Sequence, residues 1–272
     1  MKKIFVYFVV GAIFYSTGVG APYVADSHTL ALYHLDEGSG SIAYDSSGNN
    51  KNGTLVGSDI SWTSGRYDDG IKLTSVIGGN TAGRGSKITL PTNLLSKINF
   101  TVQMDLNWDY LSQFPITGDN SAGYLLSGGG SNMWVRGRIN TSNPARNKCD
   151  LLFGVYTYAG WLQITTPSEF ALQDNQWTNV AFTSSWEDIG GGVYNTVARI
   201  LINGQVAAEA YSPSGPLAGP GTPYIGRSDT YLSWGGKIDE VRILDYAIQV
   251  PEPTTMSLLG IGLFAAFRKK QN

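Results

Sequence analysis

The chain has 272 residues, with 19 Lys and Arg against 21 Asp and Glu. Five of these basic residues and one acidic residue lie in the two ends, so residues 22–250 carry a net charge of −6. An acidic body without a cluster of lysines or arginines excludes nucleic-acid binding, because phosphate backbones repel it. Cys149 is the single cysteine, which excludes an intramolecular disulfide and predicts a buried thiol.

The N-terminus has the pattern of a secretory signal peptide. Lys2 and Lys3 precede the apolar run IFVYFVVGAIFY, and small residues follow in STGVGA. A basic start, a short apolar stretch and small residues before the cut define such a peptide. We therefore predict export and a signal peptide at residues 1–21. Pro22 disfavours a cut directly after Ala21, so a cut after Gly20 remains an alternative.

The body is predicted to be all-β. In NFTVQMDLNWDY (99–110), apolar and polar residues alternate, which places one set on each face of a strand. Asn203-Gly204 predicts a tight hairpin turn. Further strands are expected in TLALYHL, KITL, MWVRGRI, DLLFGVYTY, WTNVAFTSSW, VARILI and KIDEVRIL. Short strands with polar turns and no helical periodicity favour one β-sandwich or barrel domain over residues 28–249.

Several segments resemble LamG-like jelly-roll domains of the concanavalin A-like lectin/glucanase superfamily. They are LALYHLDEGSGSIAYDSSGNNKNGTL, SGRYDDGIKL, NFTVQMDLNW, DNQWTNVAFTSSW, ARILINGQVAA and GGKIDEVRILDYAI, and their order matches that of the family. Tyr67-Asp68 departs from the Phe-Gly that is usual in the family. The resemblance implies an antiparallel β-sandwich with jelly-roll topology, a glycan as ligand and calcium near a rim of the sandwich.

The sequence does not favour an enzyme. Glycosidases of the superfamily need two carboxylates at a defined separation, and on a strand two residues share a face only at even spacing. The acidic pairs of this chain, such as Asp36-Glu37 and Asp239-Glu240, are adjacent. We therefore predict a non-catalytic binding module.

A structural calcium site is one hypothesis for the oxygen-rich loop DSSGNNKNG. If Val241 and Ile243 face the core, alternation places Asp239 on the same face, at the rim of the sandwich. Asp45 and Asn49 would then supply further oxygen ligands, which suit a hard cation. The alternative is that Asp239 accepts backbone N–H groups from the N-terminal loop and ties the chain ends together.

Two segments are candidates for sugar binding. In MWVRGR, Trp134 shares one strand face with two arginines, and YTYAGW places three aromatic rings near a glycine turn. The alternative is that these rings fill the core, with arginine stems covering them. The candidate ligand-binding residues are Trp134, Arg136, Arg138, Tyr156, Tyr158 and Trp161. A competing hypothesis is a structural or adhesive surface protein that binds other proteins.

The C-terminus has the motif VPEP at 250–253, then an apolar run, then the basic residues RKK at 268–270. This arrangement resembles the PEP-CTERM sorting signal of exported bacterial proteins that an exosortase cuts. Its apolar run, residues 254–267, is shorter than the ~20 residues of a comfortable membrane span. The prolines keep the preceding backbone extended and readable by a processing enzyme. The resemblance implies a sorting signal at 250–272 with a short transmembrane helix that holds the chain transiently in the inner membrane. It also implies display at the cell surface or in an extracellular polysaccharide matrix. The residues of the signal are Val250, Pro251, Glu252, Pro253, Arg268, Lys269 and Lys270.

Overall fold

The protein is a sandwich of two antiparallel β-sheets. The computed structural model describes residues 21–74, 86–109, 121–128, 133–139, 147–217, 219, 221–227 and 234–249. Within these residues the one helical element is a 3-10 turn at Ser168–Phe170. The all-β jelly-roll prediction is confirmed.

The strands are short and follow one another through turns. They are β1 (Thr29–Tyr33), β2 (Ile42–Ala43), β3 (Gly53–Val56), β4 (Ile60–Ser64), β5 (Asp69–Leu73), β6 (Lys87–Thr89), β7 (Phe100–Trp108), β8 (Ser121–Ser127), β9 (Met133–Ile139), β10 (Lys148–Thr157), β11 (Gly160–Thr165), β12 (Leu172–Gln173), β13 (Trp177–Asp188), β14 (Tyr194–Ile202), β15 (Gln205–Ser212), β16 (Tyr224–Ile225) and β17 (Gly236–Leu244).

The two sheets draw their strands from all parts of the chain. Sheet A has the order β15-β14-β13-β7-β17-β5-β4, with β1 also paired to β17. Sheet B has the order β11-β10-β9-β8-β16-β6-β3-β2, with β12 also paired to β10. The last strand, β17, thus lies at the centre of sheet A between β7 and the early strands, which ties the two ends of the body together.

The core lies between the two sheets. The predicted apolar face of β7 is buried from Phe100 to Trp108, whereas Tyr110 lies outside the described residues. Phe153 of β10 crosses the gap, with its ring 6.4 Å from Phe100 and 5.7 Å from Phe182 of β13. Strand alternation therefore supplies one apolar face to each sheet, and the two faces interdigitate.

Two smaller predictions about the body are also confirmed. Asn203 and Gly204 form the turn between β14 and β15, with φ of +50° and +78°, as a tight hairpin requires. Cys149 is buried in β10, and burial raises the pKa of its thiol. A neutral buried thiol behaves as a small apolar residue rather than as a nucleophile.

Both predicted targeting segments fall outside the described residues, except for Ala21. In the part of the chain that the structure describes, no helix has the length and apolar character needed to cross a bilayer.

Candidate functional site: an aromatic platform on sheet B

Four aromatic rings form a continuous row on the outer face of sheet B. The ring centroids of Tyr124 and Trp134 are 6.1 Å apart, those of Trp134 and Trp161 are 5.9 Å apart, and those of Trp161 and Tyr156 are 5.0 Å apart. Trp161 and Tyr156 are 38% and 37% exposed, so the row is open to solvent. We call these four residues the aromatic platform.

The platform arises from strand alternation in β9 and from the register between β9, β10 and β11. Met133 and Val135 point into the core, so Trp134 between them points outward. Across β10 and β11, Tyr156 pairs directly with Trp161. The predicted outward face of MWVRGR is confirmed, and three of the predicted ligand residues, Trp134, Tyr156 and Trp161, meet in one row.

Gly154 makes room for Trp134, one of the two central rings of the platform. It pairs with Trp134 across β9 and β10. A Cβ at this position would lie 2.5 Å from Cε2 of Trp134, closer than any van der Waals contact. The indole therefore lies flat against the backbone of β10, where a larger residue would lift it.

This packing leads to a first prediction, for the Gly154→Ala variant. We expect the added methyl group to displace the indole of Trp134 and to weaken ligand binding by about 5- to 10-fold. The fold should persist, because a side chain on the outer face has room to move. Tryptophan fluorescence should report the displaced ring, and titration with ligand should report the affinity. Unchanged affinity together with a shifted fluorescence spectrum would show that the position of Trp134 does not matter for binding.

The two arginines of β9 flank the platform on the same face. The guanidinium of Arg136 lies 5.3 Å from the ring centroid of Trp134, within the range of a cation–π contact. Further along the strand, Arg138 is exposed and its Nη2 lies 3.4 Å from Oδ2 of Asp150. Arg136 thus belongs to the platform edge, whereas Arg138 contacts a carboxylate of the neighbouring strand.

Sequence reasoning included one residue that the structure places elsewhere and missed another. Tyr158 lies in the turn between β10 and β11 and is 77% exposed, and its backbone N–H donates to the carbonyl of Gly215. Its ring makes none of the ring contacts that form the platform. Tyr124 was missed because register shifts in β8 interrupt its pairing with β9, so SAGYLLS lacks a readable alternation.

The predicted calcium ligands of the N-terminal loop are used by the protein itself. The carboxylate of Asp45 accepts three backbone hydrogen bonds of 2.9–3.0 Å, from Leu32, Ser47 and Lys51. Burial alone would raise the pKa of Asp45, but these hydrogen bonds lower it below its ordinary value. The amide of Asn49 donates to the carbonyl of Thr29 at 2.9 Å. Both side chains therefore hold the loop against β1.

Asp239 does not face the core, which corrects the alternation predicted for KIDEVRIL. A β-bulge between Asp239 and Arg242 inserts one extra residue, and Glu240 adopts a φ of +51°. The bulge reverses the alternation, so Val241 and Ile243 are core residues while Asp239 pairs with Asp105 on the outer face of sheet A. A β-bulge has this effect because two residues oppose one on the partner strand.

Asp239 is buried nonetheless, because the turn between β4 and β5 covers it. Its Oδ2 accepts the backbone N–H groups of Arg66 at 2.7 Å and Tyr67 at 3.0 Å, and its Oδ1 accepts that of Glu240 at 2.8 Å. The observed contacts of the Asp239 carboxylate are therefore with backbone N–H groups rather than with a cation. Two of the three donors come from the turn between β4 and β5 and the third from β17, rather than from the N-terminal loop as the alternative predicted.

Two further carboxylates are buried beside Asp239. Asp105 accepts Nη1 of Arg66 and Nδ2 of Asn179, each at 2.8 Å. Glu240 lies 2.7 Å from Nδ1 of His34 and accepts the backbone N–H of Tyr23. We call Asp105, Asp239 and Glu240 the carboxylate cluster; it lies on sheet A, on the opposite side of the sandwich from the platform.

The carboxylate cluster leads to a second prediction, that the protein becomes less stable as the pH rises from about 4 to 7. Burial raises the pKa of Asp239 from 3.8 to about 7, although three backbone donors lower it, and burial also raises the pKa values of Asp105 and Glu240. The folded state then binds more protons than the unfolded state between the two pKa values. The stabilisation is therefore fully present below about pH 4 and is lost as the pH passes 7, about 2–4 kcal/mol in all for Asp239.

Urea unfolding at pH 5, 6, 7 and 8 measures this dependence. The Asp239→Asn variant is the matched control, because its neutral amide has the shape of the carboxyl group and no titration. We expect its stability to vary less over this range than that of the unchanged protein. Stability that rises towards pH 8 in the unchanged protein would contradict the raised pKa.

Comparison with known families identifies the fold. A laminin G family model of the concanavalin A-like lectin/glucanases superfamily matches residues 81–252, more than half of the chain. The chain belongs to the concanavalin A-like lectin/glucanases superfamily. A second model, the PEP-CTERM protein-sorting motif, matches residues 249–270. Both predicted resemblances are thus confirmed. A search among curated proteins finds no match.

Solved structures similar to this superfamily member are distant in sequence. Domain 4 of AbnA, a GH43 extracellular arabinanase from Geobacillus stearothermophilus in complex with arabinotriose, is 20% identical with a TM-score of 0.53, covering 82% of this chain and 94% of that chain. The binding domain of botulinum neurotoxin DC in complex with SialylT is 11% identical with a TM-score of 0.53, covering 82% and 49%. The binding domain of Paraclostridial Mosquitocidal Protein 1 is 13% identical with a TM-score of 0.50, covering 82% and 50%.

These similarities show the fold alone, because all three identities are low. The present chain spans about half the length of the two toxin structures. Two of the three structures are described as binding domains, and the third is domain 4 of an extracellular arabinanase.

The calcium that the LamG-like family implies does not fit the predicted residues of this superfamily member. A calcium ion takes 6–8 oxygen ligands, whereas the oxygens of Asp45 and Asp239 already accept backbone N–H groups. Among the described residues, no group of three or more His, Cys, Asp or Glu side chains could hold a metal ion.

A third prediction follows from these filled oxygens: millimolar calcium, added after chelation, raises the melting temperature by less than about 1 °C. A ligand that binds only the folded state stabilises it by mass action, so a tight calcium site would produce a larger shift. Calorimetry of the same sample with magnesium in place of calcium controls for ionic strength. A rise specific to calcium would show that these residues rearrange around the ion or that other residues bind it.

Proposed function

We propose that this protein is an exported, non-catalytic binding module whose aromatic platform binds a glycan, such as an exopolysaccharide. The observation that carries the proposal is the row of four ring contacts from Tyr124 to Tyr156 on an exposed sheet face. Rings that pack in a core meet apolar neighbours on all sides, whereas Trp161 and Tyr156 are more than one third exposed. An exposed apolar surface with polar neighbours is typical of a binding site.

The chemistry of the platform suits the two kinds of surface on a sugar. The C–H groups of a pyranose ring form an apolar face that packs against an aromatic ring. The hydroxyl groups at its edge need polar partners, and exposed Gln163 and Thr165 lie on the outward face of β11 beside Trp161. Arabinotriose in the similar arabinanase domain is compatible with a saccharide on this fold.

The proposal of a non-catalytic module rests on where the carboxylates lie. The three members of the carboxylate cluster are on sheet A, and each is hydrogen-bonded to a backbone or side-chain donor. On the outer face of β9 and β10, Asp150 lies beside Arg138. Hydrolysis of a glycosidic bond needs two carboxylates on either side of it, and the described part of the platform does not supply such a pair.

The sorting motif supports the proposed location. A PEP-CTERM motif over residues 249–270 implies cleavage by an exosortase-type enzyme after transient anchoring in the inner membrane. Release would leave the binding module at the cell surface or in the polysaccharide matrix. Intact-mass measurement of the protein from its native host tests this. Extracellular protein that retains residues 257–272 would rule the cleavage out.

Retention on insoluble polysaccharides tests the binding function. The full-length chain, purified in mild detergent, is incubated with a panel of neutral and acidic polymers beside a Trp134→Ala/Trp161→Ala double variant. We expect retention on at least one polymer that the double variant loses and that a Tyr44→Ala control keeps, because Tyr44 is an exposed tyrosine distant in sequence from the platform strands. Failure on every polymer would instead favour the structural or adhesive alternative.

A further inference from the structure

Arg136 differs from four other described arginines in having no described carboxylate beside it. Arg66, Arg138, Arg199 and Arg242 each lie within 4.0 Å of an aspartate or glutamate. Over the described residues, Arg136 has no such ion pair, although the body as a whole is acidic. The contact described for its guanidinium is a cation–π contact with the ring of Trp134, at the edge of the platform.

The guanidinium of Arg136 is partly dehydrated and still has unused donors. Its Nε is buried and has no hydrogen-bond acceptor. Its two terminal nitrogens, by contrast, are not among the buried side-chain atoms that lack a partner in the described residues. Because these terminal nitrogens donate no hydrogen bond to any described residue, they remain open to water. An arginine fixed against an aromatic ring, with both terminal nitrogens free, is arranged to bind a planar anion through two parallel hydrogen bonds.

We propose that Arg136 binds the carboxylate of a uronic acid, so that the platform recognises an acidic polysaccharide rather than a neutral one. This inference rests on the proposed glycan function and adds the class of glycan. The sugar ring would pack on Trp134 or Trp161 while its carboxylate accepts from the terminal nitrogens of Arg136. An isolated charge that has lost part of its hydration gains most from a ligand of opposite charge.

An acidic peptide would satisfy the same arginine, but the platform favours a sugar. Four rings in sequence on a flat sheet face offer stacking surfaces along a polymer. A sulfated or phosphorylated sugar shares the anionic chemistry, and a sulfated polymer is therefore one arm of the experiment.

The experiment compares polymers that differ only in charge. The full-length chain in mild detergent is titrated with polygalacturonate, with the same polymer after reduction of its carboxyl groups, and with dextran and dextran sulfate. The variants are Arg136→Gln, Arg136→Lys and, as control, Lys97→Gln. The control removes an exposed positive charge from a residue that belongs to none of the platform strands. Circular dichroism of each variant confirms its folding.

We expect polygalacturonate to bind at least about 10-fold more tightly than its reduced form. Arg136→Gln should lose that preference, Arg136→Lys should keep part of it, and Lys97→Gln should keep all of it. Preference for dextran sulfate over polygalacturonate, lost in Arg136→Gln, would overturn the carboxylate in favour of a sulfate.

Equal affinity for the charged and reduced polymers, or an Arg136→Gln variant that binds like the unchanged protein, would overturn the inference. In that case, if the Trp134→Ala/Trp161→Ala double variant still loses its binding to neutral glycans, the proposed glycan-binding function stands and only the preference for acidic glycans is overturned. If no polymer of either experiment is retained by the unchanged protein, both fail together. Polyglutamate is titrated as a further arm, and its binding in place of the sugars would also overturn the inference, in favour of an acidic peptide.

Discussion

Replacing Asp239 by alanine is expected to destabilise the protein by about 3–5 kcal/mol. Its carboxylate accepts three backbone N–H groups, two of them from the turn between β4 and β5. Without it these donors remain buried and unsatisfied. Because a domain of this size is stable by only about 10–15 kcal/mol, the loss is a large fraction of the total.

Urea unfolding at pH 7 measures the loss, and Asp245→Ala is the matched control. Asp245 is a partly exposed aspartate whose carboxylate lies 3.0 Å from Nδ1 of the exposed His28, and ion pairs at the surface contribute at most about 1 kcal/mol. A cost for Asp239→Ala no larger than that of the control would contradict the role of Asp239 in holding the turn.

The fate of Asp239 also shows where sequence reasoning reaches its limit. Alternation predicted the faces of β7 and β9 correctly, because both strands are regular over their whole length. In β17 a single inserted residue reverses the pattern, and the residue with positive φ is a glutamate. No glycine or asparagine marks the bulge in the sequence. Two of the backbone donors to Asp239 come from a turn 172 and 173 residues earlier in the chain. A local sequence pattern cannot reveal such a distant contact.

More of the candidate site than of the surroundings of Asp239 could be predicted from the sequence, because the site lies on a regular strand where alternation holds. Trp134 and Arg136 were placed by alternation in β9, and Trp161 by its place in a hairpin with Tyr156. The contacts between the two segments depend on the pairing of β9 with β10, which the sequence of either strand does not contain. Tyr158 illustrates the difference: only Thr157 separates it from Tyr156 in the sequence, yet its ring lies at the turn between β10 and β11 and not in the platform.

The final prediction is that Trp134 and Trp161 each contribute strongly to glycan affinity and do so as a unit. Each alanine variant should weaken binding by about 10- to 30-fold, the range of a central aromatic contact in an interface. Because the two rings are 5.9 Å apart, removing either one leaves the other without its support. The double variant should therefore lose less than the product of the two single losses.

Isothermal titration with the polymer retained most strongly gives the four affinities of this cycle, and thermal melts verify that each variant is folded. Tyr158→Ala should lose less than about 2-fold, since its ring lies outside the platform, and Tyr44→Ala should bind unchanged. Losses that multiply fully would mean that the two tryptophans contact separate sugars without supporting each other. Unchanged affinity in both single variants would remove the platform from the binding site, because no arrangement of a ligand on this face avoids its two central rings.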